Sequence, residues 1–436
     1  MPTLEGRLTE VVGLVLEARG CRASIGDLYE ILPVDGSASI QAEVVALRDE
    51  RTLLMALEEV SSGMAVGARV RRIGRGARVP VGDALLGRVL DGLGRPIDGR
   101  PAPRTTETRA LYAAPPSPLA RRPIEEPLDV GVRAIDGTLT LGRGQRMGIF
   151  AGGGVGKSTL LAMMVQQASV DVAVIALVGE RGREVEELVH KTLGAAGLAR
   201  SVVVAATSAD PPLLRARAAL AATAIAEHFR DRGKSVLLVM DSLTRYAMAL
   251  REIGLATGEP PTTKGYTPSV FAALPRLLER AGTCEGPGSI TGLYTVLVEG
   301  DDLSDPISDA ARAILDGHII LRRELAERGH FPAIDVPQSI SRVMPAVTTR
   351  ARRDQAQKVR ALLASYREVE ELVAIGAYRP GVSPRFDEAL ARMPKLEAFL
   401  TQRVEDAGKA DVDAALAEVW RETKPETKPQ PNGVRT

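Results

Sequence analysis

The chain has 436 residues, of which 45% are hydrophobic, so it is long enough for about two or three domains with sizeable cores. Its 56 basic and 55 acidic residues nearly cancel and only 3% of the residues are aromatic, which argues against nucleic acid or a charged membrane surface as the main partner. Cys21 and Cys284 form neither a disulfide framework nor a zinc motif, as is typical of a reducing cytoplasm. The N-terminus is polar, and no apolar run approaches the ~18 residues of a membrane helix. We therefore expect a cytoplasmic protein, or one peripheral to a membrane.

The chain divides by pattern into successive regions. Residues 1–80 contain short β-type runs between turn residues, which predict an N-terminal β-barrel. Residues 81–130 are rich in proline and glycine and predict an extended connection. From about 131 to 345, strand-like and helix-like segments alternate, which predicts a parallel sheet covered by helices. An amphipathic helical pattern predicts a helical domain at 351–422, and the charged tail 423–436 is predicted to be disordered.

The segment AGGGVGKST, residues 151–159, nearly matches the phosphate-binding consensus G-x-x-x-x-G-K-[ST] between a predicted strand and a predicted helix. Small residues let backbone N–H groups surround the phosphates, while Lys157 supplies a positive charge and the Ser158 hydroxyl binds Mg²⁺. Ala151 replaces the first glycine, and its methyl group is acceptable where φ is negative. Residues 81–350 are thus predicted to form a P-loop domain that binds ATP and Mg²⁺. The predicted nucleotide-binding residues of the loop are Ala151, Gly152, Gly153, Gly154, Val155, Gly156, Lys157, Ser158 and Thr159.

Two carboxylates are candidates for the chemistry of hydrolysis, which needs a further Mg²⁺ ligand and a group that activates water. Asp241 ends the apolar run 236–240, and this places it at the carboxyl edge of a buried strand, where α/β sheets bind ligands. Glu180 follows Val178 at the same edge of another predicted strand, a position that suits a base for the attacking water. Spacing alone leaves Glu180 equally open to being a solvated turn carboxylate.

Four long segments carry a specific resemblance: GERGREV, VMDSLTRYAMALREIGLATGEPPTTKGYTPSVFAALPRLLERAG, YTVLVEGDDLSDPISDAARAILDGHIIL and FPAIDVPQSISRVM. Together they resemble the ATPases of bacterial type III protein export, a family with a flagellar and an injectisome branch that is related to the catalytic subunits of rotary F- and V-type ATPases. The similarity runs from about residue 5 to 420. It implies an α/β fold with an N-terminal β-barrel, a P-loop (RecA-like) core and a C-terminal helical domain. The stretch DPISDAARAILDGHI resembles the flagellar branch more than the injectisome branch.

The resemblance also implies roles for individual residues. Glu180 would be the catalytic glutamate, and Arg181 would contact the γ-phosphate. Arg342, in SISRVM, would be an arginine finger that reaches the site of the adjacent subunit, although an interface arginine is more often part of a structural ion pair. Phe331 would lie over the adenine, with a core aromatic as the plainer alternative.

The same resemblance implies how the protein acts and with what. It predicts a homohexamer whose ATP hydrolysis releases chaperones and unfolds or delivers export substrates at a membrane gate. The implied partners are export-gate membrane proteins, chaperone–substrate complexes and a regulatory stalk-like protein, met at the inner face of the cytoplasmic membrane. The barrel pattern begins almost at the first residue, without the family's usual amphipathic N-terminal segment, so the stalk-like partner is expected to bind more weakly or elsewhere. Nucleic acid is not expected as a partner.

Two further functions remain open beside export by the flagellar or the injectisome system. An RNA-translocating hexamer built on the same core would need aromatic side chains in its barrel, and Tyr29 is the only aromatic residue in 1–80. A non-catalytic nucleotide-binding ring subunit would tend to lack the catalytic glutamate, whereas Glu180 is present.

Overall fold

The computed structural model describes residues 5–59, 64–298, 300, 302–408 and 411–421. Over these residues the chain forms a β-barrel, a central α/β domain and a C-terminal helical domain, which confirms the predicted fold class. The tail predicted to be disordered, 423–436, lies outside the described residues, and the predicted domain borders stay predictions. Within the described ranges no helix combines the length and apolarity needed to cross a bilayer.

The barrel is closed by strands in the order β1-β2-β5-β4-β3-β6. Its core is formed by alternate side chains, among them Leu8, Leu16 and Tyr29. Within the predicted β-type runs, the segment VVGLVLEA, residues 11–18, forms a hairpin and not a single strand, because Gly13 adopts φ 55° between the first two strands. The strands are β1 (Glu5–Val12), β2 (Val15–Arg19), β3 (Leu28–Leu32), β4 (Ile40–Arg48), β5 (Arg51–Ala56) and β6 (Arg69–Gly74).

The predicted connection after the barrel contains more structure than its composition indicates. β7 (Arg78–Val81) pairs with β9 (Glu107–Ala110), and β8 (Arg88–Leu90) between them joins the central sheet. All three residues of β8 are buried. A strand this short in a Pro/Gly-rich segment has no periodicity, so the sequence prediction missed it. A two-stranded sheet of β10 (Pro127–Leu128) and β11 (Leu141–Gly142) leads into the core.

The central sheet has the strand order β19-β18-β12-β17-β15-β13-β14-β8, with β16 attached to β17. All neighbours pair in parallel except β19 with β18 and β16 with β17. The carboxyl ends of the parallel strands therefore share one edge, which is where such sheets bind ligands. The strands are β12 (Arg146–Ala151), β13 (Val172–Glu180), β14 (Ser201–Thr207), β15 (Ser235–Asp241), β16 (Gly282–Thr283), β17 (Ser289–Leu297), β18 (Gly317–Leu321) and β19 (Ile340–Ser341).

Helices cover both faces of the sheet, as the alternating pattern predicts. Consecutive strand residues point to opposite faces, so that Val174 packs in the core under α5 to α8 and Ile175 in the core under α1 and α2. A π-helical segment, Glu187–Leu193, lies between α3 and α4. The helices are α1 (Arg133–Thr138), α2 (Lys157–Gln167), α3 (Gly182–Glu186), α4 (Gly194–Ala199), α5 (Pro212–Asp231), α6 (Leu243–Ala256), α7 (Pro268–Leu278), α8 (Pro306–Ile314), α9 (Arg323–Glu327) and α10 (Met344–Val347).

The C-terminal domain consists of α11 (Arg350–Ala374), α12 (Pro384–Leu400) and α13 (Val412–Trp420). Its apolar side chains, Val359, Leu396 and Leu416 among them, belong to the same hydrophobic core as α1 and α2. Phe399 packs so closely on α1 that a Cβ atom at Gly137 would lie 2.8 Å from its ring. The helical domain is therefore joined to the nucleotide domain by a continuous core.

Candidate nucleotide site

The phosphate-binding loop connects β12 to α2 at the carboxyl edge of the sheet. Ala151 is the last, buried residue of β12 and has extended backbone geometry, so its methyl group meets no conformational obstacle. Gly154 and Gly156 have φ values of 79° and 87°, a region that side-chain-bearing residues rarely adopt. The loop thus has glycine where a left-handed backbone requires it, and the missing consensus glycine falls on a strand residue.

The loop leaves its phosphate-facing groups accessible. Gly152 and Val155 are buried beneath it, whereas Gly153, Ser158 and Thr159 are exposed. The first backbone N–H groups of α2 have no partner within the helix, and together with the helix dipole they attract anions. This is the geometry that receives the phosphate groups of a nucleotide.

Two carboxylates lie beside the loop lysine. The Nζ atom of Lys157 bonds Asp241 Oδ1 and lies 4.0 Å from Glu180 Oε1. Both carboxylates end neighbouring parallel strands and are nearly buried, with 5% of Asp241 and 7% of Glu180 exposed. Gly179, with φ 71°, shifts the register of β13 just before Glu180 and so directs this side chain. The structure therefore brings Lys157, Glu180 and Asp241 together.

The electrostatics of Glu180 suit a group that holds water. Burial, and next the negative charge of Asp241, raise the pKa of Glu180 to about 7, while Lys157 acts in the opposite direction. Its Oε1 atom is buried and accepts no hydrogen bond from any described residue. A buried carboxylate oxygen without a donor is costly unless a water or substrate group supplies one.

The residues present fit a Mg²⁺ ion bound together with nucleotide. Asp241 Oδ1 accepts hydrogen bonds from Lys157 and from the Thr295 hydroxyl, at 2.7 Å for the latter, whereas no described residue donates to Oδ2. Mg²⁺ typically takes one or two protein oxygens and completes its shell with phosphates and water. Asp241 Oδ2 and the exposed Ser158 hydroxyl are such oxygens. The described residues contain no cluster of three or more metal-binding side chains that would hold an ion without substrate.

Arg181 and Phe331 lie around this centre. Arg181 follows Glu180 directly and is exposed at the start of α3. Phe331 is 45% exposed and is not a core aromatic; a Cβ atom at Gly156 would lie 3.4 Å from its ring. An exposed ring beside the phosphate loop offers a face on which a base can stack.

Arg342 lies apart from these residues. It follows β19, donates its backbone N–H to Asp316 O at 3.0 Å, and has an exposed side chain without an ion pair among the described residues. Asp316 precedes β18, whose last residue, Leu321, is level with Ala151. At ~3.3 Å per residue, Asp316 and Leu321 are roughly 16 Å apart. Arg342 therefore lies at the opposite edge of the sheet from the loop of its own chain.

Two residues that contact the site carry no signal in the sequence. Thr295 on β17 donates to Asp241, and an Arg323 Nη atom donates to the carbonyl oxygen of Gly153 at 3.3 Å. Each contact joins positions far apart in the chain, so no local pattern marks them. Thr295 in particular belongs to an apolar run that predicts only a strand.

The fold and the site together define a class: a P-loop ATPase subunit with an N-terminal barrel and a helical C-terminal domain. The beta-barrel domain of the ATP synthase alpha/beta family matches residues 8–74, and the nucleotide-binding domain of that family matches 131–341. The T3SS EscN ATPase C-terminal domain matches residues 348–418.

Individual relatives narrow the class. The chain is 56% identical over 409 residues to the flagellum-specific ATP synthase of Salmonella typhimurium, covering 92% of this chain and 90% of the relative. It is 53% identical over 397 residues to the type 3 secretion system ATPase of Xanthomonas euvesicatoria, covering 91% and 89%. The assembled ATPase EscN of enteropathogenic E. coli, solved in complex with its central stalk EscO, superposes with a TM-score of 0.87 at 46% identity, covering 95% and 99%. The chain belongs to the type III protein-export ATPase family, and it is an enzyme that hydrolyses ATP.

Proposed function

We propose that this chain hydrolyses Mg·ATP by in-line attack of a water that Glu180 orients. The observation that carries this proposal is the buried Oε1 atom of Glu180, which accepts no hydrogen bond from the described part of the chain and lies 4.0 Å from Lys157 Nζ. On binding ATP, Lys157 would exchange its bond to Asp241 for the β- and γ-phosphate oxygens. Asp241 and Ser158 would hold Mg²⁺, which neutralises charge on the phosphates. Arg181, exposed next to Glu180, would contact the γ-phosphate.

The experiment that tests this role is the Glu180→Gln variant, which keeps the size of the side chain and removes its charge. We expect hydrolysis to fall by about 10²- to 10⁴-fold, while binding of a fluorescent ATP analogue persists. Glu186→Gln, the same change at an exposed position of α3, serves as the control and should hydrolyse ATP normally. Near-normal turnover by Glu180→Gln would remove Glu180 from the mechanism.

We also propose that the active form is a homohexamer in which Arg342 completes the site of a neighbouring subunit. Two observations support this: the assembled state of the EscN relative, and the exposed Arg342 at the far edge of the sheet, whose side chain forms no ion pair with the described residues and, among them, donates only to the carbonyl oxygen of Leu315, at 3.4 Å. The EscN–EscO complex likewise supports a stalk-like partner for this chain. Phe331 would stack on the adenine.

The energy of hydrolysis would drive type III export, and we propose the flagellar system. The segment DPISDAARAILDGHI, which resembles the flagellar branch more than the injectisome branch, supports this proposal. The test is complementation: the gene should restore swimming to a strain lacking its flagellar export ATPase, and not secretion to a strain lacking its injectisome ATPase. The reverse pattern would assign the chain to the injectisome.

We propose two further kinds of partner on the family resemblance. Chaperone–substrate complexes and export-gate membrane proteins would meet the ring at the inner face of the cytoplasmic membrane, with the protein itself cytoplasmic. The end of α11 and the segment that joins it to α12 expose Val373, Ile375 and Val382, apolar side chains suited to a protein partner.

A further inference from the structure

We infer that Thr295 is a positioning residue for Asp241: its buried hydroxyl holds one carboxylate oxygen, so that the other would be free to hold the metal. The inference rests on the proposed role of Asp241 as a Mg²⁺ ligand. It concerns a residue on a strand that carries no other part of the site.

The geometry places Thr295 between the two strands that build the centre. β17 lies between β12, which leads into the phosphate loop, and β15, which ends at Asp241. The Thr295 side chain is fully buried, and its Oγ1 lies 2.7 Å from Asp241 Oδ1 and 3.3 Å from Met240 O. A hydroxyl has one proton to donate, and the shorter contact to a charged acceptor is the stronger bond.

Thr295 matters most when nucleotide is bound. Two described residues, Lys157 and Thr295, donate to Asp241 Oδ1. When Lys157 turns to the phosphates, Thr295 is the donor that remains among the described residues. A single bond to Oδ1 would then fix the rotation of the carboxylate and leave Oδ2 as the oxygen that would hold the cation. Groups that orient metal ligands in this way commonly contribute 10–100-fold to metal affinity.

The same strand offers a matched control. Thr291 is also fully buried, but its Oγ1 accepts the Gly144 N–H at 2.8 Å and contacts no carboxylate. Thr291→Val and Thr295→Val each replace a buried hydroxyl by a methyl group on the same strand. Only the second removes a bond to Asp241.

The test measures Mn²⁺ binding to the full chain with ADP, from the electron paramagnetic resonance signal of free Mn²⁺, so that no turnover is involved. We expect Thr295→Val to bind Mn²⁺ roughly 10- to 100-fold more weakly. Thr295→Ser should retain affinity within about threefold, because it keeps the donor. Thr291→Val should match the wild type. Should Thr295→Val fail to fold, the Thr295→Ala and Thr295→Ser pair makes the same comparison.

The Asp241→Asn variant distinguishes the metal-binding role of Asp241 from the positioning role of Thr295. If Asp241→Asn binds Mn²⁺ like the wild type, the proposed metal role of Asp241 is wrong and the inference falls with it. If Asp241→Asn binds weakly while Thr295→Val binds normally, only the positioning role is overturned. Equal weakening by Thr291→Val and Thr295→Val would also overturn it, because a general disturbance of β17 would then explain both.

Discussion

Action of Arg342 across a subunit interface predicts that two inactive variants restore each other. The backbone of Arg342 is bonded to Asp316, just before β18, whereas the phosphate loop lies beside the other end of that strand. The two ends are roughly 16 Å apart, a distance that an arginine side chain cannot span. Arg342 therefore cannot serve the Lys157 of its own chain. Arg342→Ala retains an intact loop, and Lys157→Ala retains an intact finger, so each variant supplies what the other lacks.

The size of the recovery follows from the ring. Removal of an arginine finger costs about 10³- to 10⁵-fold in phosphoryl transfer, so Arg342→Ala alone should be nearly inactive. In an equal mixture, half of the sites keep Lys157 and half of the neighbours that face them keep Arg342. Each interface of a ring joins two different surfaces, one with the Lys157 site and one with Arg342, so about a quarter of the interfaces have both residues. If these sites act independently, hydrolysis should recover to about a quarter of the wild-type rate per subunit.

The assay is steady-state phosphate release from rings assembled with varied proportions of the two variants, with co-assembly verified by mass. Activity should be greatest near equal proportions and vanish at both ends. Arg350→Ala, a change of an exposed arginine at the start of α11, is the control and should be active alone. Co-assembled rings without recovery would refute action in trans, and full activity of diluted monomers would refute the ring mechanism itself.

Three further predictions concern stability and nucleotide affinity. Glu43 and Arg217 form a buried ion pair between the barrel and α5. Glu43→Gln should lower the free energy of unfolding in urea by about 3–5 kcal/mol, because it leaves the buried charge of Arg217 without its partner. The double variant Glu43→Leu with Arg217→Met should recover most of this lost stability. A Glu43→Gln variant as stable as the wild type would contradict this prediction. If the exposed ring of Phe331 stacks on adenine, Phe331→Ala should raise the KM for ATP about fivefold, and Phe331→Trp should have a KM near that of the wild type. A KM of Phe331→Ala equal to that of the wild type would count against stacking. Burial raises the pKa of Asp136 to about 7. Between about pH 4 and 7 the native state therefore holds a proton that the unfolded chain has released, so the free energy of unfolding falls as pH rises through this range. Between about pH 5 and 8, the Tm of Asp136→Asn should therefore fall less than the Tm of the wild type. If the two proteins show the same change of Tm with pH, Asp136 does not contribute to the pH dependence of stability.

Several features of this protein were determined by the sequence alone because they depend on neighbouring residues. The phosphate loop is one continuous segment, and the need for glycine at Gly154 and Gly156 arises from the local backbone. The strand ending at Asp241 follows from a run of apolar residues that only a buried strand accommodates. The alternation of strands and helices predicts the parallel sheet, and the order of elements within a P-loop domain predicts where the site lies.

Other features were decided only by the tertiary structure, because they depend on which distant segments become neighbours. The bond from Thr295 to Asp241 and the position of Phe331 beside Gly156 follow from strand order and loop paths, which hydrophobic periodicity does not encode. The same is true of β8, whose three residues become a strand only by pairing with β14. The helical domain has its own pattern in the sequence, yet its apolar faces complete the core of the nucleotide domain. The position of Arg342 at the far edge of the sheet likewise arises from the antiparallel pairing of β19 with β18.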